Sequence, residues 1–310
     1  MLMLAVACGN TSGLSQQPRA TFSKLACLDK NGDHRLNQAD AADLSSVPDF
    51  DGDHKHDAND AAFFAGIDLP LDAATQADVC KKGSVIGPEY EVAHGYFEPA
   101  DVSCDGGARP VLLVGVGGGV KDLTDKGDAA GVRSIIDGLQ RSYDARGIDT
   151  IAVIAGPAIS SAAQPNSAME QWMTNAVKVY FDRYPCIRAV LLGYSHGGVT
   201  VDVMAAHLEG AYAGGFIDVV ELDRVEFGYV GDTQSKPAQA HVFSIFEKNS
   251  GILSGTPYTG ASNAEVWDAG GEQAPERGDQ GGALKPVIHT TIDNSASVKQ
   301  RIIDDVMRRS

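Results

Sequence analysis

The residues Gly193-Tyr194-Ser195-His196-Gly197-Gly198 place a serine hydroxyl inside a G-x-S-x-G sequence. An apolar run at 189–192 precedes it, and a segment of helical character follows. Strand, sharp turn and helix is the setting in which such a serine projects its oxygen as a nucleophile. Glycines at 193 and 197 let the turn close tightly, and the start of the helix offers positive partial charge to a developing oxyanion. A second pattern lies far upstream. Asp29, Asn31, Asp33, Asn37 and Asp40 put oxygen side chains at positions 1, 3, 5, 9 and 12 of a twelve-residue stretch, and Asp49, Asp51, Asp53, Asp57 and Asp60 repeat the spacing. With the carbonyls of Arg35 and Lys55 at position 7, each stretch offers the hard oxygen set that calcium takes. Close carboxylates without a cation would repel one another. A third feature is the glycine loop Gly115-Val116-Gly117-Gly118-Gly119. It lacks the Lys-Ser/Thr ending of a phosphate-binding loop, and its glycine spacing does not fit a dinucleotide fingerprint.

These residues need elements to hold them. Short runs rich in β-branched residues, closed by Gly or Asp, stand at 111–114, 150–154, 189–192, 219–222 and 242–246. Such runs predict strands buried on both faces of a parallel sheet. Between them, Val132, Ile135, Ile136 and Leu139 fall on one helical face, and 168–181 and 199–212 read similarly. Alternation of strand and helix predicts an α/β fold with a mostly parallel sheet flanked by helices, beginning near residue 108. A final helix is expected around 298–307.

From residue 108 on, the chain resembles the α/β-hydrolase superfamily, most clearly at Ser195 and at the C-terminal His segment. The resemblance implies a triad in the chain order Ser, acid, His. His289, in Pro286-Val287-Ile288-His289-Thr290-Thr291, stands where that order needs the base. His196 lies inside the turn, His207 falls in a helix, and His241 starts a strand at the far end from the serine. The acid is left among three. Asp223 closes the strand at 219–222, as in pancreatic-type lipases; Glu247 closes the next strand, which most of the superfamily uses; Asp232 follows in Gly231-Asp232. The resemblance also implies an oxyanion hole of backbone N–H groups, from His196 and from Val116 or Gly117, the glycine loop standing where lipases and esterases carry His-Gly-Gly-Gly. The implied activity is that of a secreted serine hydrolase cleaving carboxylic esters through an acyl-enzyme on Ser195, with an ester or lipid ester as substrate. The alternative is a non-catalytic calcium-dependent scaffold or adhesion lipoprotein with an inert hydrolase-like domain.

The acidic stretches resemble the calcium loops of dockerins and EF-hands, with Asp closing each loop as in dockerins. That implies calcium as a structural cofactor at two sites, held by Asp29, Asn31, Asp33, Arg35, Asn37 and Asp40 and by Asp49, Asp51, Asp53, Lys55, Asp57 and Asp60. His34 and His54 stand at position 6, where Gly is usual; His tolerates positive φ better than most residues, so the turn is strained but possible.

The 310 residues carry a formal net charge of −16. Nucleic-acid backbones and anionic lipid surfaces are therefore unsuitable partners, since both require clustered Lys and Arg. Residues 21–70 hold ten Asp and no Glu against four Lys and Arg, and the calcium loops account for most of that excess. The opening residues, apolar and then Ala5-Val6-Ala7-Cys8, read as a signal remnant with a loose lipobox, giving Cys8 as a lipidation site and an exported, cell-envelope or secreted protein. Cys27, Cys80, Cys104 and Cys186 form an even set with three possible pairings, Cys80–Cys104 being nearest in sequence. The organisation expected is 1–20 leader and linker, 21–70 calcium-binding segment, 71–107 connection and 108–310 hydrolase domain.

Overall fold

A computed structural model describes residues 28–47, 55–71, 73, 109–118, 129–155, 166–212, 216–229, 231–260, 263–276 and 283–310. The elements in chain order are β1 (Arg35–Asn37), α1 (Ala58–Ala61), β2 (Asp68–Pro70), β3 (Val111–Val116), α2 (Ala129–Asp144), β4 (Thr150–Ala155), α3 (Asn166–Arg183), β5 (Arg188–Tyr194), α4 (His196–Glu209), β6 (Ile217–Leu222), β7 (His241–Phe246), β8 (Ala264–Asp268), β9 (Gln273–Ala274), β10 (Lys285–Pro286) and α5 (Ala296–Arg308). Six strands form one sheet in the order β4-β3-β5-β6-β7-β8, and all five pairings are parallel.

The apolar runs are buried because helices cover both faces. Along β5, Val190 and Leu192 face the side packed by α2 and α5, while Ala189 and Leu191 face the side packed by α3 and α4. Every residue of β3 and of β6 is buried. The predicted face of α2 is buried as well, with Val132, Ile135, Ile136 and Leu139 all in the core. The fold is thus the expected three-layer α/β arrangement. One strand was not foreseen: Ala264-Glu265-Val266-Trp267-Asp268 forms β8 at the sheet edge. Its charged, half-exposed residues carry no buried-strand signal, as edge strands commonly do not.

The order of strands matters for the site. From β3 the chain first moves outward to β4, then returns to place β5 on the other side of β3. That reversal falls between β3 and β5, and in α/β sheets ligands bind beyond the carboxyl ends of the strands at such a point.

The N-terminal segment is part of the same core. β1 pairs antiparallel with β2, with Leu36 opposite Leu69. Phe63 and Phe64 pack edge-on against Trp172 of α3, at centroid distances of 5.6 and 5.1 Å. Asn175 Nδ2, also on α3, donates to the carbonyls of Phe63 (3.1 Å) and Ala65 (2.6 Å). Residues 1–27, 48–54 and 74–108 lie outside the described residues, and with them Cys8, Cys27, Cys80, Cys104, Asp49, Asp51, Asp53 and His54. Cys186 is disulfide-bonded. Among the described residues no helix is long and apolar enough to cross a membrane.

Candidate active site

Ser195 stands between β5 and α4 with φ 57° and ψ −121°. This is a strained conformation for a residue with a side chain. The two motif glycines permit it. A Cβ at Gly193 would fall 2.1 Å from the Gly197 carbonyl oxygen, and one at Gly197 would fall 2.3 Å from that of Val116. The turn is pinned to its surroundings: Ser195 N–H donates to Leu222 O (3.0 Å), and Ser195 O accepts from Gly198 and Val225 N–H.

The chain then brings two distant residues to this serine. His289 Nε2 lies 3.0 Å from Ser195 Oγ, and His289 Nδ1 lies 2.6 Å from Asp223 Oδ2. An ionised carboxylate can only accept, so Nδ1 carries the proton and Nε2 is left to accept from the hydroxyl. The other Asp223 oxygen, Oδ1, accepts the Glu247 N–H at 2.9 Å. Asp223 is fully buried, and Ser195 and His289 are each 7% exposed. Asp223 also sits at positive φ, 50°, just past the end of β6.

Of the three carboxylates considered from sequence, Asp223 is the one against His289. Glu247 is buried beside it and supplies its backbone N–H to Asp223, while its own side chain accepts from Asn249 N–H. Burial raises the Glu247 pKa above the usual carboxylate range, and the Asp223 charge adds to this. Asp232 instead caps its own turn, accepting from Gln234 N–H (2.8 Å), Ser235 N–H (3.1 Å) and the Ser235 hydroxyl.

Two further side chains orient the histidine, and sequence reasoning did not find them. Tyr194 stacks on the His289 ring at 5.1 Å, and its hydroxyl donates to His289 O at 2.6 Å. Burial, then the nearby carboxylates of Asp293, Asp223 and Glu247, drives the Tyr194 pKa well up, so it stays a neutral donor. Ser250 Oγ accepts the His289 N–H at 2.7 Å. Tyr194 lies within the motif and could have been singled out; Ser250 has no local signal.

His196 begins α4, where the first N–H groups of a helix have no intrahelical acceptor. Its ring is turned away from the hydroxyl, with Nε2 2.7 Å from Phe227 O. Val116 closes β3, and Gly117 and Gly118 follow. A Cβ added at Gly118 would fall 3.0 Å from Ser195 Cβ, so this loop runs alongside Ser195. His207 is exposed in the last turn of α4, and His241 opens β7 at the other end of the sheet.

Behind the turn lies a buried charged group. Arg224 Nε meets Asp202 Oδ2 at 2.9 Å and Glu221 Oε1 at 3.3 Å, all three side chains being at most 1% exposed. Burial and then the Glu221 charge push the Asp202 pKa well above the ordinary range.

The acidic stretch at 29–40 turns at His34, whose φ is 61°, at position 6 of the expected loop. Its carboxylates bind backbone N–H groups. Asp29 accepts from Gly32 (2.8 Å) and His34 (3.1 Å), Asp33 from Arg35 (2.8 Å), and Asp40 from Lys30 (2.8 Å) and Asn37 (2.9 Å). Asn37 Oδ1 accepts from Ala39 N–H at 2.8 Å. Asp57 and Asp60 of the second stretch form a capping box at the start of α1. Among the described residues no group of three or more His, Cys, Asp or Glu side chains converges to hold a metal. Asp29, Asn31 and Asp33 carry the hard oxygens that calcium prefers, and Asn31 Nδ2 donates to Asp33 Oδ2 at 3.1 Å.

Searches against protein-family models and against curated proteins return no match for this chain.

Proposed function

We propose that the protein is a secreted serine hydrolase of the α/β-hydrolase type that cleaves carboxylic esters. The observation that carries this reading is the hydrogen-bonded series Ser195–His289–Asp223 at a strained strand-to-helix turn. A serine held by a histidine, itself oriented by a carboxylate, is recognised as a nucleophile by geometry and not by position in the chain.

In this reading Ser195 Oγ attacks the ester carbonyl carbon as His289 Nε2 takes its proton. Asp223 steadies the imidazolium through Nδ1. The carbonyl oxygen becomes an oxyanion at the start of α4, where His196 N–H and a backbone N–H of the Val116–Gly117 loop receive it. The tetrahedral adduct collapses and the C–O bond to the alcohol breaks. His289 returns the proton to the leaving alkoxide. Water, deprotonated by the same histidine, then attacks the acyl carbon; the bond to Ser195 Oγ breaks, Oγ takes the proton back from His289, and the acid leaves. Tyr194 and Ser250 act through His289, holding the ring against both partners.

Export is part of the proposal. The Cys186 disulfide supports it, because disulfides persist in oxidising compartments. Calcium at the dockerin-like segment is also proposed, on the oxygen-rich spacing and the positive φ of His34.

The test is labelling of the purified protein with a fluorophosphonate. Ser195 is expected to be modified, and Ser195→Ala to lose the label together with hydrolysis of a short p-nitrophenyl ester. A wild type that does not label, or a variant that labels equally, overturns the serine-hydrolase reading in favour of an inert domain.

A further inference from the structure

The edge of the sheet opposite the triad has no role in ester cleavage, yet it is built as a site. There the amino ends of β3, β5, β6 and β7 border a cavity of about 710 Å³, within the size range of small-molecule pockets. Strands of six or seven residues separate it from Ser195 by roughly 20 Å. The cavity wall carries three guanidinium groups, Arg109, Arg188 and Arg309, and one carboxylate, Asp218.

The charges are not matched. Asp218 accepts on both oxygens, from Arg188 Nε at 2.7 Å and from Arg309 Nε at 3.0 Å. Arg188 Nη1 donates to Arg309 O at 2.8 Å and Nη2 to Asp218, so each Arg188 nitrogen has an acceptor. Arg309 Nη1 faces Asp305, a carboxylate shared with Arg308, and Arg309 Nη2 is buried without a hydrogen-bond acceptor among the described residues. Arg109 meets no carboxylate among the described residues. Its guanidinium lies 4.2 Å from the centroid of the Phe216 ring. His241, on the same wall, has its Nδ1 buried without a hydrogen-bond partner. A protein of net charge −16 repels anions at long range, so a wall with three guanidinium groups and one carboxylate is a local exception.

Phe216, Ile148, Val111 and Tyr143 give the wall an apolar part beside the polar Gln239, Asn263 and Ser310. A guanidinium offers paired donors to a carboxylate, sulfonate or phosphate, and a flat apolar body suits the aromatic side. We propose that this cavity binds a small organic anion with an aromatic body, its head between Arg109 and Arg309 and its body against Phe216. The proposal stands apart from the chemistry at Ser195.

Titration calorimetry on the full chain tests it, with 1-naphthoate as one probe and inorganic phosphate as the other. Naphthoate should bind once per chain. Arg109→Glu should weaken it at least tenfold, with Arg109→Lys within threefold of wild type. Arg109 is exposed, so neither change disturbs the core. Phe216→Ala should weaken naphthoate about fivefold and leave phosphate unchanged. Absence of binding by naphthoate overturns the proposal, as does binding that ignores both Arg109→Glu and Phe216→Ala. Phosphate binding as tight as naphthoate overturns the aromatic part.

Discussion

The acidic loop at 29–40 and the triad at the carboxyl edge of the sheet are both made of side-chain hydrogen bonds, but they close over very different lengths of chain. In the loop, partners are two to ten residues apart, as in Asp33–Arg35 and Asp40–Lys30. In the triad, His289 meets Asp223 across 66 residues and Ser195 across 94. The loop bonds are mostly solvent-exposed and the triad bonds are buried. A bond in water contributes little net stability, while a buried polar group must be matched or it costs about 1–3 kcal/mol. The loop is therefore a local structure, held by bonds within one short stretch of chain. The triad is a consequence of the sheet, its buried bonds joining residues that only the fold brings together.

The sharpest test of that contrast is catalytic. Ser195→Ala and Asp223→Asn should each lower kcat by about 10⁴-fold or more on an ester substrate, with melting temperatures near wild type for Ser195→Ala. Loss of activity in Asp223→Asn but not in Glu247→Gln separates the acid from its buried neighbour; equal losses would break the assignment.

Next in size is the joint between the two regions. Trp172→Ala removes the ring that packs on Phe63 and Phe64, and should cost about 3–5 kcal/mol of stability. It should also open residues 28–71 to limited proteolysis. A segment that stays protected in this variant would mean that the aromatic contacts do not hold it.

The loop should respond to calcium where the triad does not. Calcium at a hundredfold excess over its Kd should stabilise the wild type by about 2.7 kcal/mol, reversibly with a chelator, and Asp29→Ala/Asp49→Ala should abolish the response. Equal thermal shifts in both proteins would refute calcium at these loops. The ester hydrolysis rate should be unaffected below the melting transition.

The smallest effect is one of pH. Asp202 has a raised pKa when folded, so its contribution to stability is present at pH below the ordinary carboxylate value and is lost as pH rises through the folded value. Asp202→Asn should flatten the decline of stability with rising pH above about 4. Denaturant unfolding at several pH values measures the slope, and an unchanged slope would show that Asp202 does not hold the proton.

Much of this architecture was legible in the chain. The five apolar runs became β3 to β7, because a strand covered on both faces has to be apolar throughout. Ser195 was legible because its turn is local: glycines two residues to either side, an apolar run before and a helix after. The position-6 turn at His34 was legible for the same reason. The acid was not, because Asp223 and Glu247 each follow a strand end directly and Asp232 lies in the loop between those strands, so only the fold decides which side chain reaches His289. The edge strand β8 was hidden by its charged residues, and the Arg109–Arg188–Arg309 cluster by the distance between its members in sequence.

Sequence by itself determined the fold class, the turn at Ser195 and the oxygen-rich loop, each read from short local patterns of residues. Tertiary structure decided which carboxylate faces His289, that Tyr194 and Ser250 hold that histidine, and that three arginines share one cavity. Those choices rest on the parallel pairing of β3, β5, β6 and β7 and on the packing of α5, which together bring Arg109 and Arg309 to a common sheet edge. No local propensity encodes such a meeting; burial of the strands between two helical layers enforces it.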